Sequence, residues 1–568
     1  MVSNKDLAEK LNNIADILEL EGVKWEPRAY RTAALTISSL SEDINKIYKE
    51  GKLLSLEGVG KSIANSIEEY LQNGKISKYE KLKEKYPIDF ETFRKIRGLG
   101  PKRVYALYKA LGIRDIKDLK EALENHKISN IEGFGEKSEE EIRKNLQSFM
   151  TVKNDRLLLG YVIDYTNLIL KKLRNSNVFE RVEIAGSLRR RKETIGDVDI
   201  LAISDKPEIG MDFFSKIDEV TGIVVKGPKK TTVELSIGTT CDIRILSKES
   251  FGAAMQYFTG NKDHNVKIRK IAISKGLKLN EYGLFRGKSA IAGKDEEEIY
   301  NKLGMEFIPP ELRENMGEVE AAQNNKLPKL VSYDEIIGDL HVHTKDSDGV
   351  NSLEEMAEAA KKRGLKYLAL TNHSKSLRVA HGLDDKRFLE LNKKIEKFNE
   401  KGSIKLLKGV ELEILKDGSL DLKDDSLKQF DFVIGALHQN LNMGNKDLTD
   451  RLIKAINSGK INAVAHPTDR IIGQREGLKL DFNRVMEACE NNDVLLEIDG
   501  YPERSDLPFD LVKKAKDYKI KFSLSSDSHR IEHLRFLEFA SAIARRGWLE
   551  KKDVINTLGY NEILRLKR

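Results

Sequence analysis

Cysteine is nearly absent: two thiols, Cys241 and Cys489, in 568 residues exclude a disulfide scaffold and a cysteine-rich zinc module. Long apolar runs are missing too. Nothing approaches the roughly 18 consecutive apolar residues of a membrane span, and the opening MVSNKDLAEK lacks the apolar centre of a secretion signal. A soluble cytoplasmic chain with no membrane partner is expected. Charge of one sign is also scarce, since a net +7 over this length does not by itself establish a polyanionic partner. What is present is ample core material, 40% hydrophobic against 33% charged residues. At roughly 150 residues per domain, this length suggests about four domains.

Two residue distributions carry more than the totals. Basic residues cluster at Pro101-Lys102-Arg103, Arg189-Arg190-Arg191-Lys192 and Lys226–Lys230, which suits a polyanion, although a solvated surface reads the same way. Eight of the ten histidines lie at or after residue 341, so that portion uses imidazole and differs in kind from what precedes it.

Residues 1–150 follow helical spacing, as in Leu7, Leu11, Ile14, Ile17 and Leu18. Over 181–246 the pattern changes to short strand-like runs, VEIAG, DVDILAI, GIVVKG, TTVELSI and CDIRIL. Helices return near 249–275, and a small mixed segment runs to about 308. The stretch 309–335, with Pro309-Pro310 and a weak core pattern, reads as a linker. From 338, runs such as GDLHVH, YLALTNH, AVAHP and FSLSSDSH alternate with charged amphipathic helices, which predicts an α/β barrel-like domain.

One short pattern recurs in the helical part: Leu56-Glu57-Gly58-Val59-Gly60, Ile96-Arg97-Gly98-Leu99-Gly100 and Ile131-Glu132-Gly133-Phe134-Gly135. Paired glycines allow a tight turn, and free amides at the following helix start can hold a phosphate oxygen. Such helix-hairpin-helix units grip a nucleic-acid backbone without reading bases. A single copy is more often a plain connector. In the third, Glu136 and the acids at 139–141 weigh against phosphate.

The run GSLRRRKETIGDVD, 186–199, places Asp197 and Asp199 on one strand face. Asp242 in CDIRIL offers a third carboxylate. Three converging carboxylates repel one another unless cations lie between them, and two divalent ions about 4 Å apart suit nucleotidyl transfer. Gly186 and Ser187 can present an amide and a hydroxyl to a triphosphate, and Arg190 adds charge-assisted bonds. A bare Asp-x-Asp is common on surface strands; the Gly-Ser ahead of it is what makes the pattern informative.

This run resembles the palm motif of the family X DNA polymerases, and the similarity extends over about 1–318. The resemblance implies that Tyr257 and Phe258 of Tyr257-Phe258-Thr259-Gly260 pack under the incoming sugar and that Asn265 meets the base. It also implies that Arg269 meets the template, that Gly186, Ser187, Arg190, Gly196 and Gly260 belong to the nucleotide site, and that Arg244 and Asn280-Glu281-Tyr282 support it. Gly58, Gly60, Gly98, Gly100 and Lys102 would contact DNA, with a monovalent cation as a further candidate at the hairpins. One departure is plain: relatives with 5′-deoxyribose-phosphate lyase activity carry a Schiff-base lysine where this chain has Ser66, and Ser62 replaces a phosphate-binding lysine. A hydroxyl forms no imine, so no efficient lyase of that type is expected.

In the C-terminal portion, His341 and His343 share a strand face, and Asp348 follows. His373, Glu411, His438, His466, Asp527 and His529 come at the ends of later strand-like runs. Lone histidines are usually structural, but nine nitrogen and oxygen donors at successive strand ends, the catalytic face of barrel enzymes, are hard to read that way. Such donors suit zinc, manganese or iron. The set resembles the polymerase and histidinol phosphatase (PHP) domain, a distorted seven-stranded α/β barrel, over 338–568. By that resemblance His341, His343, Glu411 and Asp527 surround one metal, Glu411, His438 and His466 a second, and Asp348, His373 and His529 a third. Asn372 stands where many relatives have Asp, Glu413 reads as support, and His381 and His533 are left unassigned.

The fold expected is multidomain: an all-α helix-hairpin-helix region (1–85 and a fingers-like 86–150), an α+β nucleotidyltransferase palm (151–246), a small thumb (247–318), a linker (319–337) and the barrel (338–568). The function expected is templated gap-filling DNA synthesis with Mg2+ or Mn2+ at the aspartates. Two or three Zn2+, Mn2+ or Fe2+ ions in the barrel would trim 3′ ends or cut abasic sites, on primer-template or gapped DNA with dNTPs, as a monomer. An untemplated nucleotidyltransferase fused to a small-molecule phosphatase is the alternative; a non-catalytic DNA scaffold would not need both ligand sets.

Overall fold

Helical periodicity at the N-terminus translates into one apolar core. The computed structural model describes the chain apart from residues 1–3, 40–43, 57, 94–95, 97–98, 132, 136–137, 141, 144–145 and 147–155. It forms two compact units, 1–156 with 172–182 and 204–245, and 157–171 with 183–203 and 246–568. The expected palm is thus divided between them.

In the first unit, Leu7, Leu11, Ile14, Ile17 and Leu18 are all buried along the helix Asn4–Leu20. They join Tyr30, Ala33 and Ile37 of Glu26–Ser39 and Ile63 and Ile67 of Lys61–Asn73 in one cluster, which continues to Val104 and Leu107 of Pro101–Leu111. Proline opens the last of these helices, where its missing N–H is no loss. Gly74 and Gly112 close two helices in the left-handed conformation, their amides donating to the carbonyls of Tyr70 and Tyr108. An antiparallel meander of Val220–Lys226, Lys230–Leu235 and Thr240–Ile245 completes the unit.

The second unit contains the strand Asp197–Ile203 and a small α+β cluster. That cluster has the helices Phe251–Thr259, Lys262–Ser274 and Glu296–Lys302 around the antiparallel strands Lys278–Asn280, Gly283–Arg286 and Ser289–Ala292. The segment expected to be a linker is packed: Leu312, Val319 and Ala322 belong to the cluster, and Val331 is fully buried in the barrel core. Its alternation of single apolar residues with acids hid this, because those residues are divided between two cores. Arg313 is wholly buried and is held by Glu296 and the Ile308 carbonyl.

From 338 the chain forms seven parallel strands in sequential order: Gly338–Val342, Tyr367–Leu370, Lys405–Glu413, Phe432–Ala436, Ala463–Val464, Leu495–Asp499 and Phe522–Ser525. The first and last meet, with the His343 amide donating to Ser528 O at 2.8 Å, so the barrel closes. Its strands are buried on both faces, as parallel strands covered by helices are. Leu406, Val410, Leu496 and Phe522 face the core shared with the flanking helices, which contribute Phe388, Leu452, Met486 and Ile543. Closure is tight where the first two strands pair. A methyl added at Gly338 would fall inside the ring of Tyr367, itself fully buried. Gly338→Ala is therefore expected to destabilise the barrel by about 1–3 kcal/mol through overpacking, read as a lower denaturant midpoint at unchanged slope.

Candidate active sites

The closed barrel gathers all nine donor residues at the carboxyl ends of its strands. His341 Nε2 and His343 Nε2 lie 3.0 Å apart, and Asp527 Oδ1 is 3.5 and 3.3 Å from them. Glu411 stands at the centre. Its Oε1 is 3.1 Å from His438 Nε2 and 3.0 Å from His466 Nε2, and its Oε2 is 2.7 Å from His373 Nδ1. Asp348 Oδ2 reaches His373 Nε2 at 3.4 Å and His529 Nε2 at 3.3 Å, while Asp348 Oδ1 is 3.4 Å from His343 Nδ1. Three donor groups are close enough to surround an ion: His343, Asp348, His373 and His529; His341, His343 and Asp527; and His373, Glu411 and His438. His343 and His373 are each shared between groups, a sharing that strand positions alone do not reveal. Asp527 and His466 hold left-handed backbone (φ 48° and 26°), the kind of strain stored at functional sites.

These residues fit divalent ions. His466 Nδ1 is buried without a hydrogen-bond partner, and two ring nitrogens 3.0 Å apart cannot both carry a proton toward each other. The outer nitrogens are anchored: His341 Nδ1 to Glu497 at 2.8 Å, His438 Nδ1 to Glu413 at 2.9 Å and His529 Nδ1 to the Asp527 carbonyl at 2.9 Å. This arrangement fixes the tautomer and aims the inner lone pair. Glu413 thus acts as the support read for it. Glu497, which also accepts from Ser525 at 2.7 Å, escaped the sequence reading. Its one signal was a carboxylate alternating with Asp499 inside the apolar run VLLEID. Asn372 Oδ1 accepts from the Thr344 amide and the Ser347 hydroxyl, tying down the loop that carries Asp348.

Charge in this cluster is strongly coupled. Burial disfavours the ionised form of Glu411, yet the His373, His438 and His341 charges outweigh it and hold the carboxyl well below its usual range. Burial likewise opposes the charged forms of His373 and His438, but Glu411 drives them up to about 10 and about 9. The side chains of His341 and His343 are fully covered, whereas Asp348 and His529 remain 25% and 27% exposed. The cluster therefore opens on the Asp348–His529 side.

The aspartate run folds as the alternation requires. On the strand Asp197–Ile203, Val198 is buried while Asp197 is exposed and Asp199 half-buried. Gly186 has φ 61°, and a side chain there would collide with the Asp199 carboxylate. Glycine is therefore required beside that carboxylate. The Ser187 hydroxyl is buried without a partner. Asp242 belongs to the other unit, on Thr240–Ile245, where Lys230 (2.9 Å), Arg244 (3.4 Å) and the Thr232 hydroxyl (2.5 Å) surround it. Gly196 joins the short strand Thr194–Ile195 to the aspartates.

Two expected nucleotide contacts, Arg190 and Asn265, and the expected template contact Arg269 are bonded within the fold. Arg190 pairs with Glu314 at 3.1 Å and donates to the Thr259 carbonyl. Asn265 donates to the Tyr257 carbonyl at 2.6 Å and accepts from Gln256 at 2.9 Å. Arg269 Nε reaches the Asn265 carbonyl at 3.4 Å. Tyr257 and Phe258 are half-buried and meet edge to face at 5.0 Å, and Gly260 ends their helix with φ 65°.

Among the hairpins, Gly58 has φ 79° and lies so close to Thr32 and Ala33 that no side chain fits. Gly60 and Gly100 begin the helices Lys61–Asn73 and Pro101–Leu111 with no side-chain cap, and Lys102 is exposed beside Gly100. Gly98 lies outside the described residues. In the third hairpin Glu139 is buried and takes the Ser129 amide, His126 and Arg143, so that acid holds the fold. Ser66 is buried too, its hydroxyl bonded to the Ser62 carbonyl at 3.2 Å.

Fold and site together define a hairpin-bearing nucleic-acid-binding chain that ends in a metal-dependent phosphoesterase barrel. Comparison with known families agrees part by part: a helix-hairpin-helix domain over 2–76, a SAM-like helix-hairpin-helix tandem over 90–148, the DNA polymerase beta thumb over 254–314 and the PHP domain over 339–499. The DNA polymerase/3′-5′ exonuclease PolX of Bacillus subtilis (strain 168) is 35% identical, covering 98% of both chains. DNA polymerase lambda of Rattus norvegicus is 24% identical across 55% of this chain and 56% of its own. A probable phosphatase of Thermoanaerobacter sp. (strain X514) is 27% identical across 39% of this chain and 91% of its own. The chain belongs to the family X DNA polymerases that carry a PHP domain. It binds DNA and uses divalent metals. Among the described residues no helix is long and apolar enough to cross a membrane.

Metal loading must expel protons. At pH 7 the ion-free His373 and His438 are protonated, because their pKa values are raised to about 10 and about 9, and a ligating imidazole must be neutral. Manganese binding is expected to release at least one proton and to tighten as pH rises from 7 toward 9, measured calorimetrically in buffers of different ionisation enthalpy.

Proposed function

We propose that this polymerase fills short gaps in DNA and trims 3′ ends, with one centre for each task. Asp197, Asp199 and Asp242 would carry the two ions of nucleotidyl transfer, Mg2+ or Mn2+, with dNTPs as the incoming substrate. The nine-donor cluster would carry two or three ions, of which manganese is favoured. A monomeric cytoplasmic form belongs to the same proposal, as do the domain boundaries given above apart from the linker, whose residues are packed. The observation that carries it is the pairing, in one chain of this family, of the Gly186–Asp199 contact with a complete cluster around Glu411.

Within the barrel, ions bound there would polarise the phosphoryl oxygens and lower the pKa of an attacking water. The residues supply the rest. Glu497 and Glu413 hold the Nδ1 side of His341 and His438, so that with ions bound the inner nitrogens would present their lone pairs inward. The buried His341–His343 side keeps solvent out, while the exposed edge at Asp348 and His529 admits the scissile phosphate. In the polymerase centre, Gly186 leaves room for Asp199, and the unpartnered Ser187 hydroxyl is free to donate to a triphosphate oxygen. Tyr257 and Phe258 present an aromatic pair to the sugar.

The likeness to the probable phosphatase favours a second reading of the barrel alone, as a phosphatase acting on small esters. One assay separates them: a 5′-labelled primer on a one-nucleotide gap with manganese, with and without dNTPs. His341→Ala is expected to lower 3′ trimming at least about 100-fold and to spare templated extension, and Asp197→Ala to do the reverse. Loss of both activities from either change with the fold intact contradicts the two-centre reading.

A further inference from the structure

Beside the open edge of the metal cluster stands a group of aromatic rings that the chemistry described so far does not use. Tyr501 follows the strand Leu495–Asp499, its amide held by Asp499 Oδ1 at 2.7 Å. His533 lies four residues beyond His529. The Tyr501 and His533 rings meet at 5.2 Å and 90°, and both rest on Phe536, at 5.2 and 4.8 Å. Phe536 is buried, but Tyr501 and His533 are only half-buried, so each keeps surface facing outward. Both lie within electrostatic range of Asp527, and His533 also of His529. Burial lowers the His533 pKa to about 4, which makes it a neutral ring at pH 7. Its Nδ1 is buried with no hydrogen-bond partner. Tyr161, 55% exposed on the helix Leu159–Asn175, bonds Glu503, two residues beyond Tyr501.

A 3′-terminal nucleotide can bring its phosphate to the metal cluster only after its base leaves the helical stack. Aromatic faces receive an unstacked base without reading its identity, because every base has a π face. Arg504, whose Nε is 3.9 Å from both Asp499 and Asp527 while Asp469 holds its other end at 2.7 Å, sets a fixed positive charge beside these carboxylates. Such a charge suits a phosphate that lies between base and metal.

We propose that Tyr501 and His533 form a stacking subsite for the unpaired 3′-terminal nucleobase of the DNA being trimmed. This inference rests on the trimming reading above and assigns the base, as distinct from the phosphate, its place. The subsite tolerates any base and requires that one be present.

The test uses the full-length protein with manganese on single-stranded oligonucleotides whose last residue is either a normal nucleotide or a base-less tetrahydrofuran nucleotide. Wild-type protein is expected to trim the normal end with a KM roughly tenfold lower or better. Tyr501→Ala and His533→Ala are each expected to erase most of that preference by raising KM for the normal end only. Tyr501→Phe should retain it, and metal content and templated extension should stay unchanged. Equal KM for both ends in the wild type overturns the subsite and leaves the exonuclease standing. Equal loss on both ends in the alanine variants also overturns it, because it makes the rings structural. A wild-type protein that trims neither end overturns the trimming reading itself.

Discussion

A carboxylate with almost no access to water lies at the centre of the barrel, and the rest of its architecture answers to it. Burying one charge costs several kcal/mol even after relaxation, and Glu411 is 1% exposed. Imidazoles from three other strand ends, His373, His438 and His466, therefore crowd its two oxygens. Their own outer nitrogens, or those of their neighbours, are pinned by further carboxylates. The result is a shell of alternating sign in which bound cations would take the place of the imidazole protons. The barrel closure that pairs His343 with Ser528 is what brings the first and last strands' ligands to the same centre.

The same electrostatic logic operates where the barrel's helix Leu537–Arg546 meets the residues around the Gly186–Asp199 run. Arg546 is fully buried and pairs with Glu193 at 2.8 Å and Glu314 at 3.3 Å. Glu314 in turn holds Arg190. Removing one partner of such a set would leave a charge stranded in a dry interior. This ties the residues beside Gly186 and Asp199 to the barrel through one ionic network.

Much of this was legible in advance, and for identifiable reasons. Strand ends capped by His or Asp in AVAHP or SSDSH are local patterns, and the two-residue alternation of Asp197 and Asp199 is local as well. The first glycine of a hairpin pair reports a left-handed backbone that glycine adopts easily, as Gly58 and Gly133 show. What stayed hidden depends on distant partners. Glu497 gains its role from His341, 156 residues away, and Arg546 gains its own from Glu193. The packed segment around Val319 and Val331 reads as a linker because its apolar residues serve two different cores. Arg190 and Asn265 read as contacts for substrate, and here each is bonded within the protein; a sequence pattern cannot say which partner a long side chain holds.

The account turns on cations occupying the space between Glu411 and its ring of histidines. Crystals of the full-length protein equilibrated with manganese, with anomalous scattering recorded at the manganese edge, address this directly. Two or three peaks are predicted, each bounded by donors from the three groups that share His343 and His373. Peaks confined to surface carboxylates, with none inside the barrel mouth, would contradict the account and leave the buried charges needing another explanation.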